Sequence, residues 1–468
     1  MFIKQLYTSC LSEAAYFIES EGEAVVIDPL RDIEVYIQLA SERNATIKYI
    51  LETHFHADFV SGHLDLQKAT GAPIVYGPGT ETSFPIHLAT DGEKFTVGKL
   101  IMEVLHTPGH TLESSTYLLY DESGRKHAVF TGDTLFVGDV GRPDLSSGDL
   151  SKEELAEILY DSLQQKIIPL PDDVIVYPAH GPGSSCGKNL GANTLSTIGE
   201  QKQTNYALQS TNKADFVKEV TTGLIEPPQY FPINAKINKE GYDSLDNVLE
   251  QGMEALTIPL FKAAMQDEGT IVLDTRNADE FTLGFIPGSI SIGLEGRFAE
   301  WAGSILPFTE PLLLITEPGK EREAIIRLAR VGFSNFKGYL QGGFENWKNA
   351  GEEIDMIINI EADELAMDIP FDDNLVIIDV RREAEYGDGH VKDSVNIPLN
   401  ELTDPATMGN IEDTHNVYVH CAGGYRSVIA SSLMKRQGLH NIRNIVGGFE
   451  KIREQKKIEV VKEDRVLN

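Results

Sequence analysis

The segment THFHADFVSGH (53–63) places three imidazoles and a carboxylate within eleven positions. His54 and His56 are one residue apart, Asp58 follows two later, and the apolar, β-leaning run TIKYILE (46–52) leads into them. Imidazole nitrogens and a carboxylate at the end of a strand are the makings of a metal cradle. Phe59 stands where a two-metal version of such a cradle would have another histidine. Further along, His110 in HTPGHT, Asp133 in FTGDT and His180 in YPAHGPGS each close another strand-like run. A lone histidine is ordinarily a capping or packed polar residue. Six such residues at the ends of successive strand-like segments point to metal binding.

A second chemical signal is VHCAGGYRS (419–427). An apolar strand ends at Cys421, a short glycine-containing loop follows, and Arg426 leads into the helical run SVIASSLMKRQG. Such a loop can aim backbone N–H groups inward at a helix N-terminus, beside a guanidinium. All of these favour a thiolate and an added anionic sulfur. An isolated cysteine is more often an inert core residue. The loop and the arginine reverse that reading for Cys421, whereas Cys186 in GPGSSCGKN stays ambiguous between a small buried residue and a thiol near the metal cradle.

The elements that must hold these residues fall into an N-terminal region and a repeat. IVLDTRNADEFTLGFIPGSISI (271–292) and VIIDVRREAEYGDGHVKDSVNI (376–397) match in pattern without a gap, and Arg276 and Arg381 stand 105 residues apart (276 to 381). The same spacing relates the GGF triplets at 342–344 and 447–449. Each copy alternates strand and helix, which argues for a parallel, doubly wound α/β sheet. In the middle copy Thr316, within LLLITEPGKEREA, stands opposite Cys421. Threonine has no thiol, so this copy is expected to lack the chemistry of the cysteine loop and to serve packing, assembly or substrate guidance. IEPPQYFPINAKINKEG (225–241), rich in Pro and polar residues, reads as an extended connector ahead of the repeat.

At 468 residues, with 41% hydrophobic and 24% charged residues, the chain reads as an ordinary globular protein of about three domains. A net charge of −32, spread along the chain, argues against nucleic acid or an anionic membrane as a partner. No apolar run approaches the ~18 residues of a membrane span, and MFIKQLYTSC lacks the pattern of a signal peptide. Three well-separated cysteines, Cys10, Cys186 and Cys421, make a disulfide framework improbable, and a reducing cytoplasm is the expected location.

The metal-type residues resemble the metallo-β-lactamase fold in order and spacing over roughly residues 1–240. In that superfamily a two-metal site pairs the histidines of H-x-H and a third histidine on one ion with an Asp-His pair and a last histidine on the other. Phe59 breaks the second set, since phenylalanine has no lone pair, so one metal is expected. A single ion held by two histidines and one carboxylate, with open positions, suits Fe(II) and O₂ chemistry. Zinc hydrolysis, which would need only a bound water, is left open by the ligand types.

Within the superfamily, THFHADFVSGH, HTPGHT, TGDTLFVGDVGRPDL and YPAHGPGS resemble persulfide dioxygenases. That resemblance implies His54, His110 and Asp133 as the ligands of one Fe(II) per chain, with His56, Asp58 and His180 orienting them. It also implies that Arg142 lies by the thiol substrate, where a guanidinium could hold a carboxylate or phosphate, and that Tyr177 lies beside the iron. Read without the resemblance, Arg142 is a surface arginine and Tyr177 a core tyrosine. The cysteine loop resembles the rhodanese loop Cys-x4-Arg, with IDVR and GGF where that family has them. This implies Cys421 and Arg426 as the catalytic pair.

The whole chain thus resembles persulfide dioxygenase–rhodanese fusions. The fold implied is a metallo-β-lactamase αββα sandwich (1–240), an inactive rhodanese-like domain (250–355) and an active rhodanese domain (360–468), the last two doubly wound α/β. The implied chemistry is oxidation of a low-molecular-weight thiol persulfide by O₂ to sulfite, with sulfur transfer at Cys421 giving thiosulfate. The alternatives are a zinc-dependent glyoxalase II-like thioester hydrolase joined to a sulfurtransferase, and a persulfide relay or scaffold in which the N-terminal domain is secondary. A homo-oligomer is the expected assembly.

Overall fold

The structure is a computed structural model that describes residues 1–145, 150–210, 212–409, 411, 412 and 414–462. The chain divides into two compact units, one of Met1–Val248 with Ile326–Ser334, the other of Leu249–Ile325 with the chain from Asn335 onward. Among the described residues no helix is long and apolar enough to cross a membrane.

Two six-stranded sheets build the first unit. Strands β1 (Phe2–Thr8), β2 (Glu13–Ser20), β3 (Glu23–Ile27), β4 (Thr46–Leu51), β5 (Ile74–Tyr76) and β6 (His87–Leu88) lie in chain order. The other sheet holds β7 (Lys94–Val97), β8 (Leu100–His106), β9 (Ser115–Tyr120), β10 (Lys126–Gly132), β11 (Ile175–Pro178) and β12 (Ser196–Thr197) in the reverse of chain order. Strand β2 is buried along its whole length, and the period of two explains why. Ala14, Tyr16 and Ile18 face Val104, Tyr117 and Phe130 of the other sheet. The alternate residues Ala15 and Phe17 pack instead with Tyr36, Ala40 and Leu66 of the helices Glu34–Glu42 and His63–Thr70. On the far side Leu118 and Val129 pack with Ala156, Leu159, Phe216 and Val220 of the helices Lys152–Ser162 and Lys213–Thr221. The layers are therefore α, β, β, α.

The stretch 225–241 is not an extended connector throughout. Residues Phe231–Glu240 form a helix with Pro232 in its first turn. There a missing N–H leaves no hydrogen bond unmade, so proline starts the helix and does not break it. Tyr230, Phe231, Asn234 and Asn238 are buried on its inner side.

In the second unit each copy of the repeat makes one all-parallel five-stranded sheet. The first comprises β13 (Ala255–Leu256), β14 (Ile271–Asp274), β15 (Ile290–Ser291), β16 (Leu312–Ile315) and β17 (Phe336–Leu340), in the order β13-β17-β16-β14-β15. The second comprises β18 (Ile358–Ile360), β19 (Leu375–Asp379), β21 (Val395–Asn396), β22 (Asn416–His420) and β23 (Ile442–Ile445), in the matching order β18-β23-β22-β19-β21, while β20 (His390–Val391) pairs with β24 (Val460–Val461) alone. Thr316 and Cys421 each follow the strand of the same rank, β16 and β22.

The shared Asp-x-Arg is a structural clamp. Arg276 Nε and Nη2 donate to Asp274 at 3.0 and 2.6 Å, and Nη2 also donates to the Gly284 carbonyl at 2.9 Å. Arg381 repeats this with Asp379 at 2.9 and 2.6 Å and Gly389 at 2.7 Å. Each guanidinium lies 3.9 Å from the ring of its own GGF phenylalanine, Phe344 or Phe449. Both aspartates are fully buried, so removing either arginine strands a charge. Arg276→Met or Arg381→Met should destabilise the second unit by about 3–5 kcal/mol in chemical denaturation. A loss of only about 0–1 kcal/mol, as for a surface pair, would show that the clamp is peripheral.

Candidate functional site

His54, His110 and Asp133 follow the ends of β4, β8 and β10, and their donor atoms lie within 4.8 Å of one another, all buried. His54 Nε2 is 3.7 Å and His110 Nε2 3.4 Å from Asp133 Oδ2. The second ring nitrogens decide what those Nε2 atoms carry. His110 Nδ1 is 2.9 Å from the Arg142 carbonyl, which can only accept, so the proton is on Nδ1. His54 Nδ1 is 2.9 Å from Thr53 Oγ1, and that hydroxyl already donates to Asp28 Oδ2 at 2.9 Å. The His54 proton is therefore also on Nδ1. In the neutral rings both Nε2 atoms then present lone pairs toward the same carboxylate oxygen.

Asp133 Oδ2 is buried and has no hydrogen-bond partner among the described residues. Two imidazole nitrogens and a carboxylate oxygen without a hydrogen bond from the described residues converge as the ligands of a metal ion do. Burial alone would raise the Asp133 carboxyl, but His180, which donates to it at 2.7 Å, holds it well below the usual carboxylate range. Burial, reinforced by His56, pushes His54 down and keeps it neutral as a ligand must be.

The remaining predicted residues surround this trio. His180 Nδ1 is 2.7 Å from Asp133 Oδ1 and its Nε2 is 2.8 Å from Asp58 Oδ2, so one ring joins the two carboxylates. Burial pulls His180 down, yet those carboxylates raise it well above the ordinary histidine value. His56 turns away, with Nε2 3.2 Å from Asp28 Oδ1 and 3.7 Å from Glu52 Oε2. Its ring is covered by fully buried Phe59, centroids 4.3 Å apart. Cys186 is buried against Asp58 and His180. Burial and then the charges of Asp58 and Asp133 push its thiol well up.

The guanidinium of Arg142 grips Asp144 with two 2.7 Å bonds and also donates to the Ser185 and Ile225 carbonyls. What reaches the trio is the Arg142 carbonyl. Tyr177 stacks on Phe130 at 5.1 Å and meets Tyr16 edge-on at 5.4 Å, so its ring is part of the packing between the sheets. Burial raises its phenol.

Sequence reasoning passed over three supports. Asp28 accepts from Thr53 N–H at 2.7 Å as well as from its hydroxyl, tying the end of β3 to His54. Asn238 donates to the carbonyls of His56 and Phe59, both at 2.8 Å, and accepts from Ser61 N–H at 2.9 Å, which fixes the histidine loop. Asp28 closes the strand-like run AVVID, a usable signal, whereas Asn238 carries no local one. The third is Glu385, which binds Arg426 through 2.7 and 2.8 Å bonds.

Cys421 directly follows β22. Gly424 N–H donates to Cys421 Sγ at 3.1 Å, and the helix Tyr425–Arg436 begins at the next residue. Gly447 and Gly448 hold φ of 69° and 57°. A Cβ on Gly448 would stand 2.4 Å from the Cys421 carbonyl, so only glycine fits under the loop there. Phe449 N–H closes the contact on that carbonyl at 2.7 Å.

The model of the metallo-beta-lactamase superfamily matches residues 9–180, and that of the rhodanese-like domain matches 257–350 and 361–455. The mitochondrial persulfide dioxygenase of Homo sapiens is 31% identical over 49% of this chain and 84% of its own length. The chain belongs to the metallo-beta-lactamase superfamily. Two rhodanese-like domains follow that superfamily domain in the chain. A probable hydroxyacylglutathione hydrolase of Schizosaccharomyces pombe is 36% identical over 33% of this chain, which spans 57% of that relative's length. A crystal structure described as a metallo-beta-lactamase from Staphylococcus aureus shares 34% identity, covers 73% of this chain and 99% of its own, and has a TM-score of 0.65.

Asn238→Ala leaves two buried carbonyls and an N–H unpaired, and should cost about 1–3 kcal/mol of stability. Because it loosens the loop that carries His54 to Asp58, metal affinity should also fall about 10–100-fold, read by chelator competition. Unchanged metal retention would separate Asn238 from the site.

Proposed function

We propose that the superfamily domain is a non-haem iron persulfide dioxygenase holding one Fe(II) through His54, His110 and Asp133. The observation that carries the reading is the unpartnered Asp133 Oδ2 facing two histidine lone pairs. Phe59 supports a single ion, since it removes a donor from the neighbouring set. The overall reaction is RSSH + O₂ + H₂O giving RSH, sulfite and two protons. Iron, when bound, supplies open coordination positions for the persulfide and O₂. The chain's own groups do the rest. Thr53 and the Arg142 carbonyl keep both histidines in the ligating tautomer. His180, between Asp133 and Asp58, offers a hydrogen-bonded route for protons away from the trio. Arg142 would hold an anionic part of the thiol by exchanging Asp144 for it, and the Tyr177 phenol is proposed as a hydrogen bond to the substrate.

In the last domain Cys421 is proposed as the sulfur carrier. Its thiolate attacks the outer sulfur of RSSH, the RS–S bond breaks, RS⁻ leaves, and Cys421–S–SH remains. Sulfite then takes that outer sulfur as thiosulfate and restores the thiolate. Arg426, gripped by Glu385, holds the loop in place beside Cys421.

The likeness to hydroxyacylglutathione hydrolases favours a second reading, a zinc-dependent thioester hydrolase. Protein purified anaerobically separates the two. Iron near one per chain with O₂ uptake on a panel of thiol persulfides supports the dioxygenase, and zinc with thioester cleavage overturns it. His110→Ala should lose iron and O₂ uptake while retaining sulfur transfer. Full iron occupancy in that variant would sink the ligand assignment. Cys421→Ser should consume O₂ normally but accumulate sulfite in place of thiosulfate, whereas Thr316→Ala should leave the product ratio unchanged. Both are read by chromatography of the two anions.

A further inference from the structure

Cys421 opens into a cavity of about 510 Å³ whose walls come from both copies of the repeat. Cys421, Tyr425 and Arg426 line it from the last copy, and Gly293, Glu295, Arg297 and Trp301 from the middle one. The seam between the copies is well made. Tyr425 Oη donates to the Gly293 carbonyl at 2.9 Å, and Ser291 N–H donates to Ser432 Oγ at 3.0 Å. Phe281, Phe285, Ile357 and Val428 form one buried apolar cluster across it.

The volume falls within the ~300–1,000 Å³ of small-molecule sites and far exceeds what an inorganic sulfur anion of a few atoms would fill. The charges are also divided. Arg426 is committed to Glu385 by two short bonds. Arg297, at the start of the helix Phe298–Ile305, pairs with Glu300 but leaves 42% of its side chain exposed. A pair that open to water exchanges readily for another anion. Trp301, one turn further on, adds an apolar ring face and an N–H donor.

We propose that Arg297 and Trp301 of the middle copy select the sulfur donor at Cys421, and that this donor is an organic thiol persulfide carrying a carboxylate or phosphate. The proposal rests on the reading of Cys421 as the sulfur carrier. Trp301 packs the organic body and Arg297 takes its anionic group. The outer sulfur then reaches Cys421, RS⁻ leaves past the same wall, and sulfite follows. The middle copy thus acts on the reaction without carrying sulfur itself.

Sulfur transfer to cyanide in the full chain tests this with two donors, glutathione persulfide and thiosulfate. Arg297→Gln and Trp301→Ala should each raise KM for glutathione persulfide about tenfold, a loss of about 1.4 kcal/mol of binding. In both variants kcat and the thiosulfate kinetics should stay as in the wild type, and Trp301→Phe should recover most of the lost affinity. Cys421→Ser serves as the control on the underlying reading. Transfer surviving in Cys421→Ser would overturn the sulfur-carrier assignment. With Cys421→Ser inactive, equal KM changes for both donors, or no change for either, would overturn the selecting wall alone.

Discussion

Two imidazole nitrogens and a carboxylate oxygen that lacks a hydrogen bond from the described residues, brought together in a buried place, are balanced by a positive charge between them. That is the situation of His54, His110 and Asp133, all buried at the ends of their strands. In the absence of a cation, the least costly escape would be a proton on one ring or on the carboxylate. The surroundings oppose each escape. Burial pushes His54 down, so its ring resists a second proton, and His180, bonded to Asp133 at 2.7 Å, keeps the carboxyl ionised. The protein has therefore built its charge deficit at a fixed place, and the free energy of a bound ion is what closes it.

Most of the first unit's polar interior follows from that constraint. Holding His54 in register needs Asp28, which brings the end of β3 beside the end of β4. His56 is then free to face Asp28 and Glu52 rather than the trio, and Phe59 seals it there. The Phe59 ring lies on His56, which with Asp28 and Glu52 forms a further cluster of ligand-type atoms, beside that of Asp58, His180 and Cys186. The aromatic ring adds apolar bulk where a second ion would need a ligand. Asn238 shows how far the support reaches. It belongs to a helix some 180 residues along the chain, yet it sets the two carbonyls that flank Asp58.

The strand ends were legible because each pairs a short apolar run with a polar residue that no strand interior would tolerate. His54, His110, Asp133 and His180 stand out for that reason. The helix Phe231–Glu240 was not legible, because two prolines followed by a third, with polar neighbours, carry the composition of a connector. Only the burial of Phe231, Asn234 and Asn238 against the first unit makes it a helix with an inner face. Arg142 and Tyr177 mark a different limit. Sequence pattern places them near the metal residues, but it cannot say that the guanidinium is taken by Asp144 or that the phenol ring stacks on Phe130. Pattern locates a backbone position, and side-chain partners from distant segments decide what the residue can offer.

The repeat separates what the doubly wound fold needs from what sulfur chemistry needs. Both copies retain the buried Asp-x-Arg clamp and the phenylalanine over it, at nearly the same distances. Losing it would leave a bare charge in either core, so it answers to stability alone. The difference lies in the loop. Where Cys421 has glycines, a helix N-terminus and Arg426, Thr316 is followed by TEPGKE, and its pocket is lined by Glu280, Glu317 and Glu345. Of the two cations beside them, Arg276 is locked to Asp274, which leaves Lys348 against three carboxylates. A persulfide, sulfite or thiosulfate anion entering there would meet net repulsion as well as a hydroxyl that cannot carry sulfur. The middle pocket thus sets a hydroxyl and three carboxylates where the matching loop of the last copy has a thiol.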